Sequence, residues 1–144
     1  MIFVIFIIWA YALTLKMDNI MIRIAFACNN KNGLDANIAK HFGRCKYFII
    51  VDLVEGEVKN CSAIENPYFN NHESGLIPDF IKSKSVNVVI SGGIGKKALE
   101  KFEKYEIKAK AGLIGKVSGA LDLYNQNKLF DFSVSSKNDS DFCQ

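Results

Sequence analysis

A chain of 144 residues and 16.1 kDa is one domain's worth, long enough to bury a core without disulfides or a structural metal. Hydrophobic residues make up 49% and charged residues 23%, which excludes a disordered chain. The formal charge is +3 and no run of Lys or Arg exceeds two, so nothing supports a nucleic-acid-binding stripe.

Residues 1–15 read MIFVIFIIWAYALTL, with only Thr14 outside the apolar set. As a helix this run would be roughly 22 Å long, short of the ~30 Å hydrocarbon core of a bilayer. No basic residue precedes it and no small-x-small cleavage pattern follows, so it makes a poor secretory signal. Lys16 and Asp18 end it abruptly, and Met17 and Met21 follow as alternative starts. Three readings compete: a start assigned too early, a short membrane anchor, or an extra element packed on the domain. Residues 1–20 are therefore treated as a leader and excluded from fold reasoning. Membrane contact is expected only if residues 1–15 are real. Otherwise the expected location is cytoplasmic, with reduced thiols.

The domain spans 21–129. MIRIAFAC, at 21–28, is a short apolar run with β-branched residues and predicts a buried strand. The polar stretch 29–35 is a loop, and 36–45 has room for one helical turn before Gly43. Residues 46–54 predict a second strand, Glu55-Gly56 a tight turn, and 57–64 a third strand returning as a hairpin. A loop follows over 65–74. The next helix takes Ser74 as N-cap, carries Pro78 in its first turn, and puts Leu76, Ile77, Phe80 and Ile81 on one face. A fourth strand over 86–91 is broken by Gly92-Gly93-Ile94-Gly95, and a helix follows over 96–105. Residues 107–111 predict the fifth strand. Val117, Ala120, Leu121 and Tyr124 stand at i, i+3, i+4 and i+7 of a closing helix. The polar, acidic residues 130–144 read as a mobile tail.

This order predicts an α/β fold, a mixed five-stranded sheet flanked by helices. Helical crossovers make strands 3, 4 and 5 parallel. With strand 1 parallel to strand 4 and strand 2 antiparallel to both, four loops share one edge: 29–45, 65–75, 92–95 and 112–116. Ligands of open α/β sheets bind at such an edge.

Both histidines, His41 and His72, lie in those loops. Cys45 stands four residues beyond His41, and Cys28 ends the first strand. Imidazole and thiolate suit iron, iron–sulfur units, copper(I) or zinc, so His41, His72 and Cys45 are candidate metal ligands. Arg44 could neutralise an anionic ligand. Cys28 and Cys61 fit buried small apolar residues better than ligands, and no pair has Cys-x-x-Cys spacing. Gly93-Ile94-Gly95-Lys96-Lys97-Ala98 fits G-x-G-x-x-A between a strand and a helix, without the acidic residue a dinucleotide site needs. The amides of Gly92, Gly93 and Gly95 could still hold an anion, or the glycines could serve only a tight turn. No nucleophile elbow, zinc-protease motif or P-loop occurs, and Asp52 has no evident carboxylate partners for nuclease chemistry. No catalytic residue is assigned.

Several segments together resemble the dinitrogenase iron–molybdenum cofactor biosynthesis family, the NifX/NifB-type domain. They are MIRIAFAC; His41-Phe42-Gly43-Arg44 followed by Tyr47-Phe48-Ile49-Ile50-Val51-Asp52; Glu65-Asn66-Pro67; Gly75-Leu76-Ile77-Pro78; and Val88-Val89-Ile90-Ser91-Gly92-Gly93-Ile94-Gly95. Ile107-Lys108 and the closing helix up to Leu129 fit as well. The resemblance implies a ribonuclease H-like fold without a nuclease site. It also implies binding or carriage of iron–sulfur or iron–molybdenum cofactor precursors, with His41 and His72 as ligand candidates.

The reading that follows is a metallocluster carrier or chaperone, not an enzyme. It would hold an anionic Fe–S-type unit through His41, with His72 or Cys45 adding a ligand, and exchange it with a cluster-donor or acceptor protein. Arg44 and the Gly92–Gly95 amides would balance its charge. The rival readings are an enzyme or sensor that binds a small phosphorylated ligand at the Gly92–Gly95 loop, and a ligand-free protein-interaction module.

Overall fold

The structure, a computed structural model, describes residues 4–9, 20–71 and 75–126. Five strands form one sheet: β1 (Met21–Cys28), β2 (Tyr47–Val54), β3 (Glu57–Glu65), β4 (Val88–Ile90) and β5 (Lys108–Lys110). Their spatial order is β3-β2-β1-β4-β5. β2 runs antiparallel to β1 and β3, whereas β1, β4 and β5 are mutually parallel. This is the mixed sheet the element order predicts. The predicted tail at 130–144 and the Ser74 cap lie outside the described residues.

Alternation along the central strands builds two cores. Ile24, Phe26 and Cys28 of β1 join Ile49, Val51 and Leu53 of β2 on one face, under Val117, Ala120 and Leu121 of helix α3 (Val117–Asn125). Ala25, Ala27, Phe48 and Ile50 point the other way. They pack against Ile77 and Ile81 of α1 (Leu76–Ser83) and Phe102 of α2 (Lys96–Lys104). The small residues of β1 on that face have a steric use: Ala27 pairs in register with Phe48 and leaves space for its ring. Burial on both sides explains why β1 and β2 read as apolar runs instead of clean alternations.

Helix α1 begins one residue later than Ser74 capping would place it. Its N-cap is Gly75, at φ 96°, and Pro78 falls in the first turn as expected. Residues 36–45 differ more from expectation. They hold a 3-10 turn at Phe42–Arg44, and 36–40 run extended enough for Ile38 to bridge Cys28 and for the neighbouring Asn37 to bridge Lys116. Asp52 is buried and paired, across the register, with Arg23. The guanidinium contacts both carboxylate oxygens, at 2.7 and 3.2 Å, near the edge where β1 begins. Residues 4–9 are helical, and Val4 to Trp9 are each at least 59% exposed. No helix among the described residues is long and apolar enough to cross a membrane.

Candidate functional site

β1, β3, β4 and β5 end, and β2 begins, at one edge of the sheet. The loops there are knitted by main-chain hydrogen bonds. Ala39 donates to Ala27 O (2.8 Å), Gly92 to Ala39 O (2.9 Å) and Phe42 to Gly93 O (2.8 Å). Ile38 donates to Gly115 O (2.8 Å), and Leu113 to Ser91 O (3.4 Å). Segments distant in the chain thus form one continuous floor.

His41 caps the Phe42–Arg44 turn in an extended conformation and is half-buried. Phe42 anchors it. Its ring is 2% exposed and meets Phe48 at 5.7 Å and, edge-on, Phe102 at 5.3 Å. With Phe42 drawn inward, His41 stays half-buried and Arg44 is exposed on either side of it. Asn66 fixes the far side of the same segment. Its amide donates to Cys45 O (2.9 Å), its side-chain oxygen accepts from Tyr68 N (3.0 Å), and its own N–H donates to Lys46 O (2.9 Å). Nothing in the local sequence singles out Asn66 for this task beyond the Asn-Pro turn signal.

The structure places Cys45 in the core. Its side chain is fully buried among the α1/α2-side core residues, and burial pushes its thiol up to about 12. Cys28 is likewise fully buried and pushed up to about 12 by burial. Burial thus favours the protonated thiol at both positions. Exposed Cys61 is raised by partial burial. His72 lies outside the described residues.

The glycine loop divides into two roles. At Gly92 a Cβ would meet Ala39 O at 2.7 Å, Lys40 Cα at 2.9 Å and Lys40 O at 3.0 Å. Gly92 is thus required by close main-chain approach, and its amide is committed to Ala39, which removes it from the anion-binding set. Gly93 is buried, and its carbonyl accepts from Phe42 N and from Ser91 Oγ (3.2 Å). Gly95 is the N-cap of α2, with open space where a side chain would stand and no side-chain cap on the helix.

Charge at this edge is mixed, with a slight cationic excess. Over the four edge loops, 29–45, 65–75, 92–95 and 112–116, four cations (Lys31, Lys40, Arg44 and Lys116) stand against three carboxylates (Asp35, Glu65 and Glu73). The whole chain, with 18 cations to 15 carboxylates, is nearly balanced. Lys116 comes within 3.9 Å of Asp35, and Lys46 lies over the Phe69 ring at 5.7 Å. Lys110, buried at the end of β5, has its ammonium pKa lowered by burial and then by Lys108. Ile114, 85% exposed, adds an apolar tip between Gly112 and Gly115, both at positive φ. The sequence reading singled out Arg44 alone. Among the described residues no group of three or more His, Cys, Asp or Glu could hold a metal ion.

The thiols make a direct check. Alkylation of the native protein at neutral pH should modify Cys61 while Cys28 and Cys45 react only after unfolding, as mapped by peptide mass. Alkali should then destabilise the fold. Between the ordinary 9.0 and about 12 an unfolded chain has lost the protons the folded one retains, so stability is full below pH 9 and falls as the pH rises through that window. A denaturant midpoint that stays flat from pH 9 to 11 would contradict the burial of both thiols.

Comparison with known proteins adds to this geometry. Residues 22–127 match the sequence pattern of a family described as dinitrogenase iron-molybdenum cofactor. The uncharacterized protein MJ0580 of Methanocaldococcus jannaschii is 31% identical over 114 residues, 78% of this chain and 92% of that protein. The crystal structure of PH0822 is similar with a TM-score of 0.69 at 32% identity, covering 85% of this chain and 100% of that one. The apo form of the orange protein from Desulfovibrio gigas has a TM-score of 0.66 over 74% of this chain and 88% of its own. At 22% identity it shows a shared fold and nothing further.

Proposed function

This chain belongs to the dinitrogenase iron–molybdenum cofactor family, and we propose that it carries an anionic iron–sulfur or iron–molybdenum precursor at the loop edge of its sheet. The observation that carries this reading is a half-buried imidazole, His41, in a segment that also bears exposed Lys40 and Arg44, on one knitted floor of edge loops. His41 supplies a nitrogen ligand. Arg44, Lys40 and the neighbouring lysines offset the guest's negative charge, and the first-turn amides of α2 point their partial positive charge the same way. One imidazole flanked by exposed Lys40 and Arg44 suits a guest that arrives with its inorganic core assembled and leaves again. The reading is therefore a carrier or chaperone serving a donor or acceptor protein, not a catalyst, working in the cytoplasm where its thiols stay reduced. We take the fold as ribonuclease H-like. The β3-β2-β1-β4-β5 order, with β2 alone reversed, supports that.

The test is anaerobic reconstitution of the full chain with iron and sulfide, followed by metal and acid-labile sulfide analysis. His41→Ala should weaken retention about tenfold, ~1.4 kcal/mol. Retention by the wild type should also fall with ionic strength, because exposed charges are screened beyond about 10 Å at 0.1 M salt. Iron and sulfide contents that are unchanged in the variant would remove His41 from the site. A protein that takes up no cluster under any of these conditions would remove the proposal.

A further inference from the structure

The two ends of the sheet are finished differently. β5 is three residues long and bears Lys108 and Lys110, a short, charged edge of the kind that resists pairing with another chain. β3, at the other end, is nine residues long, and every residue except Ile64 is exposed. Its first third is guarded: Lys59 sits at the register irregularity against Asp52/Leu53, within 3.4 Å of Glu57. From Asn60 to Ile64 the strand is regular, uncharged and free of proline, with its outer row of main-chain groups turned away from β2.

We propose that two copies of this chain pair antiparallel through β3, making one continuous sheet across a two-fold axis at Ser62. A two-fold axis normal to the sheet requires one residue to face its own copy, which restricts the register. Centring on Cys61 sets Glu57 against the second copy's Glu65, a like-charge pair. Centring on Ala63 sets Cys61 against Glu65. Centring on Ser62 sets Lys59 against Glu65, twice by symmetry, with Asn60 opposite Ile64 and Cys61 opposite Ala63. Of these three registers this one alone makes the charged ends complementary, and it sets the neutral stretch Asn60–Ile64 against its own copy at the middle. It also sends the two His41 edges to opposite ends of the joined sheet, so neither copy covers the other's site.

Sedimentation of the full chain decides the matter. Wild type should sediment at twice the 16.1 kDa chain mass at millimolar concentration. Ser62→Lys, which puts two ammonium groups face to face, should raise the dissociation constant at least about tenfold with no change in the far-UV spectrum. Should that variant fail to fold, Ser62→Cys serves instead: mild oxidation should yield a 62–62 cross-link in peptide mass maps. A wild type that stays monomeric at millimolar concentration overturns the proposal. So does a dimer indifferent to Ser62→Lys, or one that oxidises through Cys61 to its own copy.

Discussion

Replacing Phe42 by alanine is expected to cost the fold about 3–5 kcal/mol, the range for removing a fully buried aromatic ring. The ring is 2% exposed and closes an aromatic group with Phe48 and Phe102, whose own contacts it supports. Its position gives the loss a second consequence. Phe42 is the only inward anchor within the 41–44 turn, and its amide hydrogen-bonds Gly93 O. Without the ring, His41 and Arg44 keep their chemistry and lose their fixed placement. Urea unfolding should show the lower midpoint. Hydrogen exchange should show a larger gain at the Phe42 amide than across β1. A change below about 1 kcal/mol with an unaltered amide would mean that the turn is held by its main-chain bonds alone.

Sequence pattern located the sheet well because its central strands obey one strong rule. Residues 21–28 and 47–54 are buried on both faces, so a continuous apolar run marks them whatever the register. β3 followed the opposite course. Its hairpin pairing with β2 was legible from the Glu55-Gly56 turn, but exposure of nearly every residue leaves no selection for alternation, and the irregularity at Asp52/Leu53 shifts what phase remains, so its register was not. Phe42 was also hidden, for a related reason. A single apolar residue inside a polar loop has no periodicity, and its burial depends on Phe102, which lies sixty positions away.

The edge loops were legible as a set because topology alone brings them together. Their contents were less so. His41 and Arg44 stand out by residue type, whereas the burial of Cys45 is invisible to sequence spacing, which says nothing of which way a side chain turns. The 3-10 turn at Phe42–Arg44 carries Cys45 inward, where loss of solvent holds its thiol neutral. The lysines of the edge stand out less because they are spaced along the chain and none forms a run.

Gly92→Ala separates the two uses of the glycine loop. A methyl at this position would stand 2.7 Å from Ala39 O and 2.9 Å from Lys40 Cα, both main-chain atoms that cannot swing aside. Overpacking of this kind costs about 1–3 kcal/mol, and more where main chain must move. The strain falls on the bond from Gly92 N to Ala39 O and, through residues 39–42, on the bond from Phe42 N to Gly93 O. Gly95→Ala is the matched control. It leaves every amide in place, meets open space, and sits at φ −65°, so its cost should stay below about 1 kcal/mol. If Gly92 serves packing, its variant loses stability in metal-free protein, and its loss of guest retention follows from the displaced 39–42 segment. If the glycine served only as an amide cradle, metal-free stability would be untouched and retention alone would fall. The 2.7 Å approach makes the first outcome the expected one, because no small shift of one flexible side chain can relieve a clash between two stretches of backbone.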